Sequence, residues 1–147
     1  MKTLRNEIVI AAPPSRVYAQ ASATERWPDF LPHYRYVRLL QSTADRRVLE
    51  MAARRGAIPV RWRAEQRNDP EHNAMYFTHL SGWTRGMEVA WRFFPANGGT
   101  RVSVDHLFPP RYALPEPIAR YVVGAFFIDH IATQTLRCLK LRCECER

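Results

Sequence analysis

The chain has 147 residues, of which 46% are hydrophobic and 24% charged. This composition excludes a disordered chain and predicts a single globular domain over residues 1–147, with room for a core and one internal cavity. The formal net charge is +8, and Lys2 and Lys140 are the only lysines among 22 basic residues. Such an arginine-rich surface is compatible with nucleic acid, an anionic membrane or an acidic protein as a partner, or with solvent alone.

The apolar stretches of the chain are short. The longest, Tyr121–Ile128, is far below the roughly 20 residues of a membrane-spanning helix. Charges in the segment Met1–Pro14 occupy positions where a signal peptide would be apolar. We therefore expect a soluble cytoplasmic protein without a membrane span.

The first predicted element is a strand over Leu4–Ile10, where apolar residues alternate with polar ones. Two prolines follow it and precede a short helical stretch over Ser15–Ser22. The segment Trp27–Pro32 is predicted to form a compact turn or a single helical turn, because its two prolines limit its length. Two short helices are thus expected after the first strand.

Runs of strand length fill the middle of the chain, separated by turn residues. They are Tyr34–Gln41, Arg47–Ala53, Ile58–Asn68, Ala74–Ser81, Met87–Phe94 and Arg101–Phe108. Short connections such as Asn97-Gly98-Gly99 predict that consecutive strands pair antiparallel. With the first strand they make a seven-stranded sheet.

The last predicted element is a long helix from Pro115 to about Cys143, with apolar residues at helical spacing. Strands followed by a segregated helix indicate an α+β fold. A twisted antiparallel sheet curls, and one helix cannot fill its concave side. The space between them is expected to be either packed with side chains or kept as a cavity.

Strand alternation predicts which residues face that space. In the clearest strand, Arg61, Arg63, Glu65 and Arg67 share the solvent face, and Trp62 and Gln66 lie on the inner face. The predicted inner wall carries the aromatic residues Trp62, Phe77, Trp91, Phe93 and Phe108 and the polar residues Gln66, His79 and His106. An apolar wall with few polar groups is typical of a ligand pocket, but aromatic residues at strand spacing are also typical of a plain core.

Several kinds of chemistry have no support in the sequence. It contains no glycine-rich phosphate loop, no HExxH helix and no GxSxG elbow. Cys138, Cys143 and Cys145 lack the spacing of a disulfide framework or a metal site, so we expect neither metal nor cofactor and leave their role open. Any chemistry would use histidine, tyrosine or arginine on a bound carbonyl compound.

A family resemblance extends over nearly the whole chain. The residues that carry it are Ile8 to Pro13 with Val17 and Tyr18, Trp27-Pro28 with Tyr34, Trp62 followed by Asp69-Pro70, Trp91 with Gly98 to Val102, and Thr135-Leu136 with Lys140. With this element order the chain resembles the START-like (helix-grip, SRPBCC) superfamily, and within it the polyketide cyclase/aromatase and dehydrase group. The resemblance implies a sheet wrapped around a long C-terminal helix and a cavity for an apolar ligand.

The resemblance also implies a site. In the aromatase/cyclases a tryptophan, an arginine four positions later and a tyrosine after the Trp-Pro segment line the cavity. Trp62 and Tyr34 match this pattern, whereas Gln66 stands in place of the arginine. The expected catalytic residues are Tyr34, Gln66, His79 and His106, and the expected ligand-binding residues are Trp27, Trp62, Phe77, Trp91, Phe93 and Phe108.

Two functions follow as hypotheses. The first is a cyclase/aromatase that folds a bound poly-β-ketone for intramolecular aldol condensation and dehydration, with Arg61, Arg63 and Arg67 available to dock an acidic acyl carrier protein. The second is a non-catalytic carrier of a quinone, lipid or other hydrophobic metabolite, because Trp27–Pro32 is similar to a stretch of coenzyme-Q-binding START-like proteins. Nucleic-acid binding is not expected, and the chain is expected to be a monomer or a homodimer.

Overall fold

The computed structural model describes residues 2–82, 84–108 and 127–145. Its strands are β1 Lys2–Ile10, β2 Tyr34–Ser42, β3 Arg47–Arg55, β4 Ile58–Asp69, β5 Ala74–His79, β6 Glu88–Ala96 and β7 Gly99–Phe108. They form one seven-stranded sheet in the order β1-β7-β6-β5-β4-β3-β2, and all neighbours pair antiparallel. The predicted α+β fold with its antiparallel sheet is therefore confirmed.

The helices pack on one face of this sheet. Helix α1 covers Pro14–Ser22, α2 covers Trp27–Phe30 and α3 covers Asp129–Cys145. Short 3-10 turns lie at Thr24–Arg26 and Pro70–His72. The two short helices predicted after β1 are confirmed, and α3 matches the second half of the predicted C-terminal helix. The first part of that prediction, residues 115–126, lies outside the described residues.

The strand predicted over Ala74–Ser81 ends earlier, at His79. The backbone N–H of His79 donates to the Met87 carbonyl at 2.9 Å, and the Gly86 N–H donates to the His79 carbonyl at 2.8 Å. The chain between them reverses through Gly82 and Gly86, which have φ angles of 84° and 90°. Glycine adopts this left-handed backbone without the steric cost that a side chain carries. The connection therefore forms a tight turn where the alternation predicted two more strand residues.

The hairpin between β6 and β7 brings the backbone of Gly99 close to the end of β1. A Cβ atom at Gly99 would lie 2.1 Å from the carbonyl oxygen of Ile10. We expect Gly99→Ala to lower the free energy of unfolding by about 2 to 3 kcal/mol, because a backbone atom must move to make room. Urea denaturation measures the change.

A matched control for that substitution is available at Gly56, in the β3–β4 turn. It has a φ angle of 60° and no heavy atom within 4 Å of an added Cβ. Gly56→Ala is expected to cost about 1 to 2 kcal/mol, the strain of a left-handed alanine alone. Equal stability of wild type and Gly99→Ala would contradict the close approach.

The outer face of the sheet is charged, and several of its carboxylates each lie between two arginines. Three acidic side chains each pair with two arginines, with N–O distances from 2.6 to 3.6 Å. The groups are Arg38–Glu50–Arg63, Arg46–Glu65–Arg67 and Arg5–Asp105–Arg92. The predicted exposure of Arg61, Arg63 and Arg67 is confirmed.

The inner face carries the buried residues. Along β4, Ala64 and Gln66 are buried and Trp62 is half-buried, as the alternation predicted. Leu136 and Leu139 of α3 pack in the same cluster, at 2% and 1% exposure. No helix within the described ranges is long and apolar enough to cross a bilayer.

Candidate functional site

A cavity of about 110 Å³ lies between the inner face of the sheet and α3. Its aromatic and imidazole lining comes from Trp27, Tyr34, Trp62, Phe77, His79, Trp91, His106 and Phe127. Helix α3 contributes Ile131, Ala132 and Thr135 on the opposite side. A cavity of this size exceeds what a single water molecule needs and is comparable with apolar cavities that hold a small aromatic molecule.

Trp27 lies among the aromatic rings of this lining. Its ring centroid is 5.3 Å from that of Tyr34, 5.9 Å from that of Phe77 and 5.8 Å from that of Trp91. Its indole N–H donates to the Ala21 carbonyl at 2.9 Å. Because that donor is already bonded, Trp27 offers the cavity an apolar ring.

Trp62 and His79 stack on adjacent strands. Their ring centroids are 5.4 Å apart and their planes differ by 6°. His79 Nδ1 lies 2.6 Å from the hydroxyl oxygen of Thr84, which orients the imidazole. The indole Nε1 of Trp62 is buried and has no hydrogen-bond partner among the described residues. A buried donor without a partner costs free energy, so a ligand with an acceptor atom near this N–H would bind more favourably.

His106 lies on β7, opposite Val89 of β6 and Leu4 of β1. Its Nδ1 is buried without a partner in the part of the chain that the structure describes. Burial lowers the pKa of His106 to about 4, although the nearby negative charges of Asp105 and Asp129 oppose the shift. Burial, together with His106, lowers the pKa of His79 to about 3. Both imidazoles are therefore neutral at pH 7, each with one donor and one acceptor nitrogen.

Tyr34 begins β2 and is buried against Trp62, with ring centroids 6.1 Å apart. Burial raises the pKa of its phenol well above the usual value near 10. The hydroxyl is therefore protonated at any working pH and can donate a hydrogen bond. Tyr34, Trp62 and His79 form a continuous row of rings along one wall.

His33 is a polar residue near the site that sequence reasoning missed. Its Nε2 lies 2.9 Å from the hydroxyl oxygen of Thr135, which itself donates to the Ile131 carbonyl at 2.7 Å. Thr135 has only one proton to give, so His33 must donate through Nε2. Burial lowers the pKa of His33 to about 4. Its position beside Tyr34 was the only available signal, because Thr135 is 102 positions away.

Gln66 is buried but does not belong to the described lining of the cavity. Its side-chain oxygen accepts from the Thr24 hydroxyl at 2.6 Å, and its nitrogen donates to the Ser22 carbonyl at 3.0 Å and to Asn68 at 2.9 Å. The amide thus ties the segment after α1 to the sheet. The expected contact of Gln66 with a ligand carbonyl has no support in this geometry.

Two predicted ligand-binding aromatics also lie away from the cavity. Phe93 packs edge-on against Tyr18 of α1, with centroids 5.1 Å apart, and beside Trp91. Phe108 is buried at the end of β7, opposite Lys2. Both have the predicted inward direction but are not among the described lining residues.

The arrangement can orient a carbonyl compound with neutral donors. Tyr34, the imidazoles and the Trp62 indole all donate without carrying a charge. Within the described ranges, no cluster of three or more His, Cys, Asp and Glu side chains could hold a metal ion.

Comparisons with known proteins agree with this fold. A family model described as polyketide cyclase / dehydrase and lipid transport matches residues 10–127. No curated protein gives a significant match. Among solved structures, a protein of Thermus thermophilus is 25% identical, with a TM-score of 0.83 and 97% of each chain covered.

Two further solved structures show the same fold. The Zhui aromatase/cyclase from Streptomyces sp. R1128 is 19% identical, with a TM-score of 0.86 and coverage of 97% of this chain and 93% of that one. A START superfamily protein from Mycobacterium smegmatis is 16% identical, with a TM-score of 0.75 and 97% of each chain covered. Because the family model matches well over half of its length, the chain belongs to the polyketide cyclase/dehydrase and lipid transport family of START-like proteins.

Proposed function

We propose that the protein binds a hydrophobic polyketide in its cavity and directs an intramolecular aldol cyclisation followed by dehydration. The observation that carries the proposal is the aromatic cavity containing two buried polar atoms, Trp62 Nε1 and His106 Nδ1, without partners among the described residues. Membership of the polyketide cyclase/dehydrase family supports the same activity.

The proposed chemistry depends on positioning. A carbon between two carbonyls loses a proton and attacks a third carbonyl of the same chain, whose oxygen takes up a proton in return to become an alcohol. That attack forms the carbon–carbon bond that closes the ring, and loss of the hydroxyl with an adjacent proton then releases water and leaves a carbon–carbon double bond. Holding the two carbons in contact is worth up to about 7 to 11 kcal/mol for well-oriented groups.

The roles of the site residues follow from their protonation states. Trp27, Trp62, Phe77 and Trp91 would shape the chain of the ligand. The Tyr34 hydroxyl and an imidazole N–H of His79 or His106 would donate to carbonyl oxygens as negative charge develops on them. Arg61, Arg63 and Arg67 remain a proposed docking surface for an acidic acyl carrier protein.

Tyr34→Phe tests the donor role directly. We expect the variant to form cyclised product from a synthetic poly-β-ketone thioester about 10²-fold more slowly than wild type, because it loses one donor to the developing oxyanion. Liquid chromatography with mass spectrometry measures the product, and His106→Ala is expected to act in the same direction.

The control for those variants is His72→Ala, because His72 is exposed and bonds Asp69 far from the cavity lining. It is expected to retain wild-type rates. Wild-type protein that forms no product above the spontaneous rate would refute the catalytic proposal.

A second function, a non-catalytic carrier of a quinone, lipid or other hydrophobic metabolite, has its own supporting observation. The low pKa values of His79 and His106 make both poor proton acceptors at neutral pH. Mass spectrometry of the native protein distinguishes the two functions. An unreacted isoprenoid quinone or lipid favours the carrier, and a hydroxylated aromatic polyketide favours the cyclase.

A further inference from the structure

The hydroxyl of Thr84 meets the imidazole of His79 where the chain turns back between β5 and β6. The Gly86 N–H donates to the His79 carbonyl at 2.8 Å, and the Met87 N–H donates to the Thr84 carbonyl at 2.8 Å. These bonds return Thr84 to the side chain of His79, so that the hydroxyl oxygen lies 2.6 Å from Nδ1. The backbone of the turn therefore fixes the position from which this hydroxyl contacts the ring.

The imidazole of His79 is restrained on a second side by Trp62. The two ring planes differ by 6°, and the centroids are 5.4 Å apart. His79 is paired with Ala64 of β4 in the strand register and is 8% exposed. A ring held by stacking and by one short hydrogen bond is already oriented before a ligand binds.

The second ring nitrogen of His79, Nε2, is the one that a ligand can reach. It has no hydrogen-bond partner among the residues that the structure describes, and it is not fully buried, in contrast to Trp62 Nε1 and His106 Nδ1. His79 lines the cavity. The hydrogen-bonding character of Nε2 therefore decides what His79 offers to a bound molecule.

That character depends on Thr84. A neutral imidazole carries one proton, and the hydrogen bond made by one nitrogen determines whether the other nitrogen is protonated. The Thr84 hydroxyl has no other hydrogen-bond partner within the described ranges. If the hydroxyl donates to Nδ1, its proton is paired, and the one unpaired proton of the two groups is the Nε2–H, which a ligand can reach.

We infer that Thr84 is a positioning residue for His79: its hydroxyl donates to Nδ1, holds the ring proton on Nε2 and so presents an N–H to the bound ligand. The inference rests on the proposed function in one respect, namely that His79 donates to a ligand oxygen. It also specifies the ligand group that His79 recognises, which is an acceptor oxygen such as the carbonyl of a ketone or a quinone.

Nitrogen NMR of the ligand-free protein, labelled with ¹⁵N in its histidines, reads the tautomer at neutral pH. In wild type we expect His79 Nε2 to show the chemical shift of a protonated nitrogen and Nδ1 that of an unprotonated one. Thr84→Val keeps the shape of the side chain without the hydroxyl, and its His79 should show shifts averaged between two tautomers. Thr84→Ser keeps the hydroxyl and should show wild-type shifts.

The same variants have an expected effect on the proposed cyclisation. Thr84→Val should lower kcat about tenfold, the scale of one lost hydrogen bond, and change KM by less than about twofold. Thr84→Ser should recover most of the rate. Thr78→Val is the matched control, because Thr78 lies on β5 opposite Glu65 and Glu88 and is not among the described lining residues. It should keep wild-type shifts and rate.

The outcomes separate this inference from the proposed function. A proton on His79 Nδ1 in wild type, or wild-type shifts in Thr84→Val, would overturn the inference. A Thr84→Ser protein as slow as Thr84→Val would do the same, because the hydroxyl would not be the group that acts. Wild-type protein without activity would refute the cyclase instead, and the NMR shifts would still decide whether Thr84 sets the tautomer.

Discussion

Lowering the pH from 6.5 to 5 is expected to reduce the free energy of unfolding by about 5 kcal/mol, roughly 1.6 kcal/mol for each of three buried histidines. Burial lowers the pKa of His33 and His106 to about 4 and that of His79 to about 3, from an ordinary value of 6.5. Below pH 6.5 these histidines bind protons in the unfolded chain but stay neutral in the folded protein. Stability is therefore full only well above pH 6.5 and is lost as the pH falls towards 4.

Urea denaturation at a series of pH values measures this loss as a slope. Near pH 5.5 about three more protons bind to the unfolded chain, so the slope should approach 4 kcal/mol per pH unit. His106→Asn removes one of these groups while keeping a polar side chain, and it should lower the slope by about a third. A wild-type stability that is flat between pH 6.5 and 5 would show that these imidazoles are not buried as neutral groups.

Replacing Gln66 with alanine is expected to lower the free energy of unfolding by about 4 kcal/mol. The substitution removes the bonds to Thr24, Ser22 and Asn68. The hydroxyl of Thr24, buried at 0% exposure, keeps only its longer bond to the Ser22 carbonyl at 3.3 Å, and a poorly satisfied buried group costs about 1 to 3 kcal/mol. The cavity left by the missing side chain adds to this loss. Urea denaturation at neutral pH measures the change.

The same variant tests whether position 66 acts in the site. Gln66→Ala should bind the neutral fluorescent probe N-phenyl-1-naphthylamine with wild-type affinity under conditions where it is folded, because the side chain does not belong to the described cavity lining. Arg67→Ala, at the exposed neighbouring position, should change stability by less than about 1 kcal/mol. A stable Gln66→Ala protein with weakened probe binding would instead place the amide in the site.

Alternation along the strands predicted the inner face well. Trp62, Phe77, His79, Trp91 and His106 all line the cavity, because side-chain direction in a strand depends only on parity once one face is buried. The fold class was also predictable, since short connections force antiparallel neighbours and the final apolar period is helical.

The alternation of side chains along a strand could not predict which of the inward-facing residues line the cavity. Phe93 points inward but packs under α1 against Tyr18. The position of α1 depends on tertiary packing. Gln66 meets Thr24, which is 42 positions away in a 3-10 turn. His33 meets Thr135 of α3 in the same way. These contacts depend on how the helices pack on the sheet, which no local pattern records.

Because each of these carboxylates pairs with two arginines, the arginine positions of the outer face tolerate mutation better than the acidic positions. Loss of Arg38 leaves Glu50 paired with Arg63, and loss of Arg5 leaves Asp105 paired with Arg92. Loss of Glu50 or Asp105 instead removes the carboxylate that two arginines share, so both arginines lose that ion pair at once. Arginines of this surface can therefore drift singly during evolution, whereas the few acidic positions are the ones that constrain it.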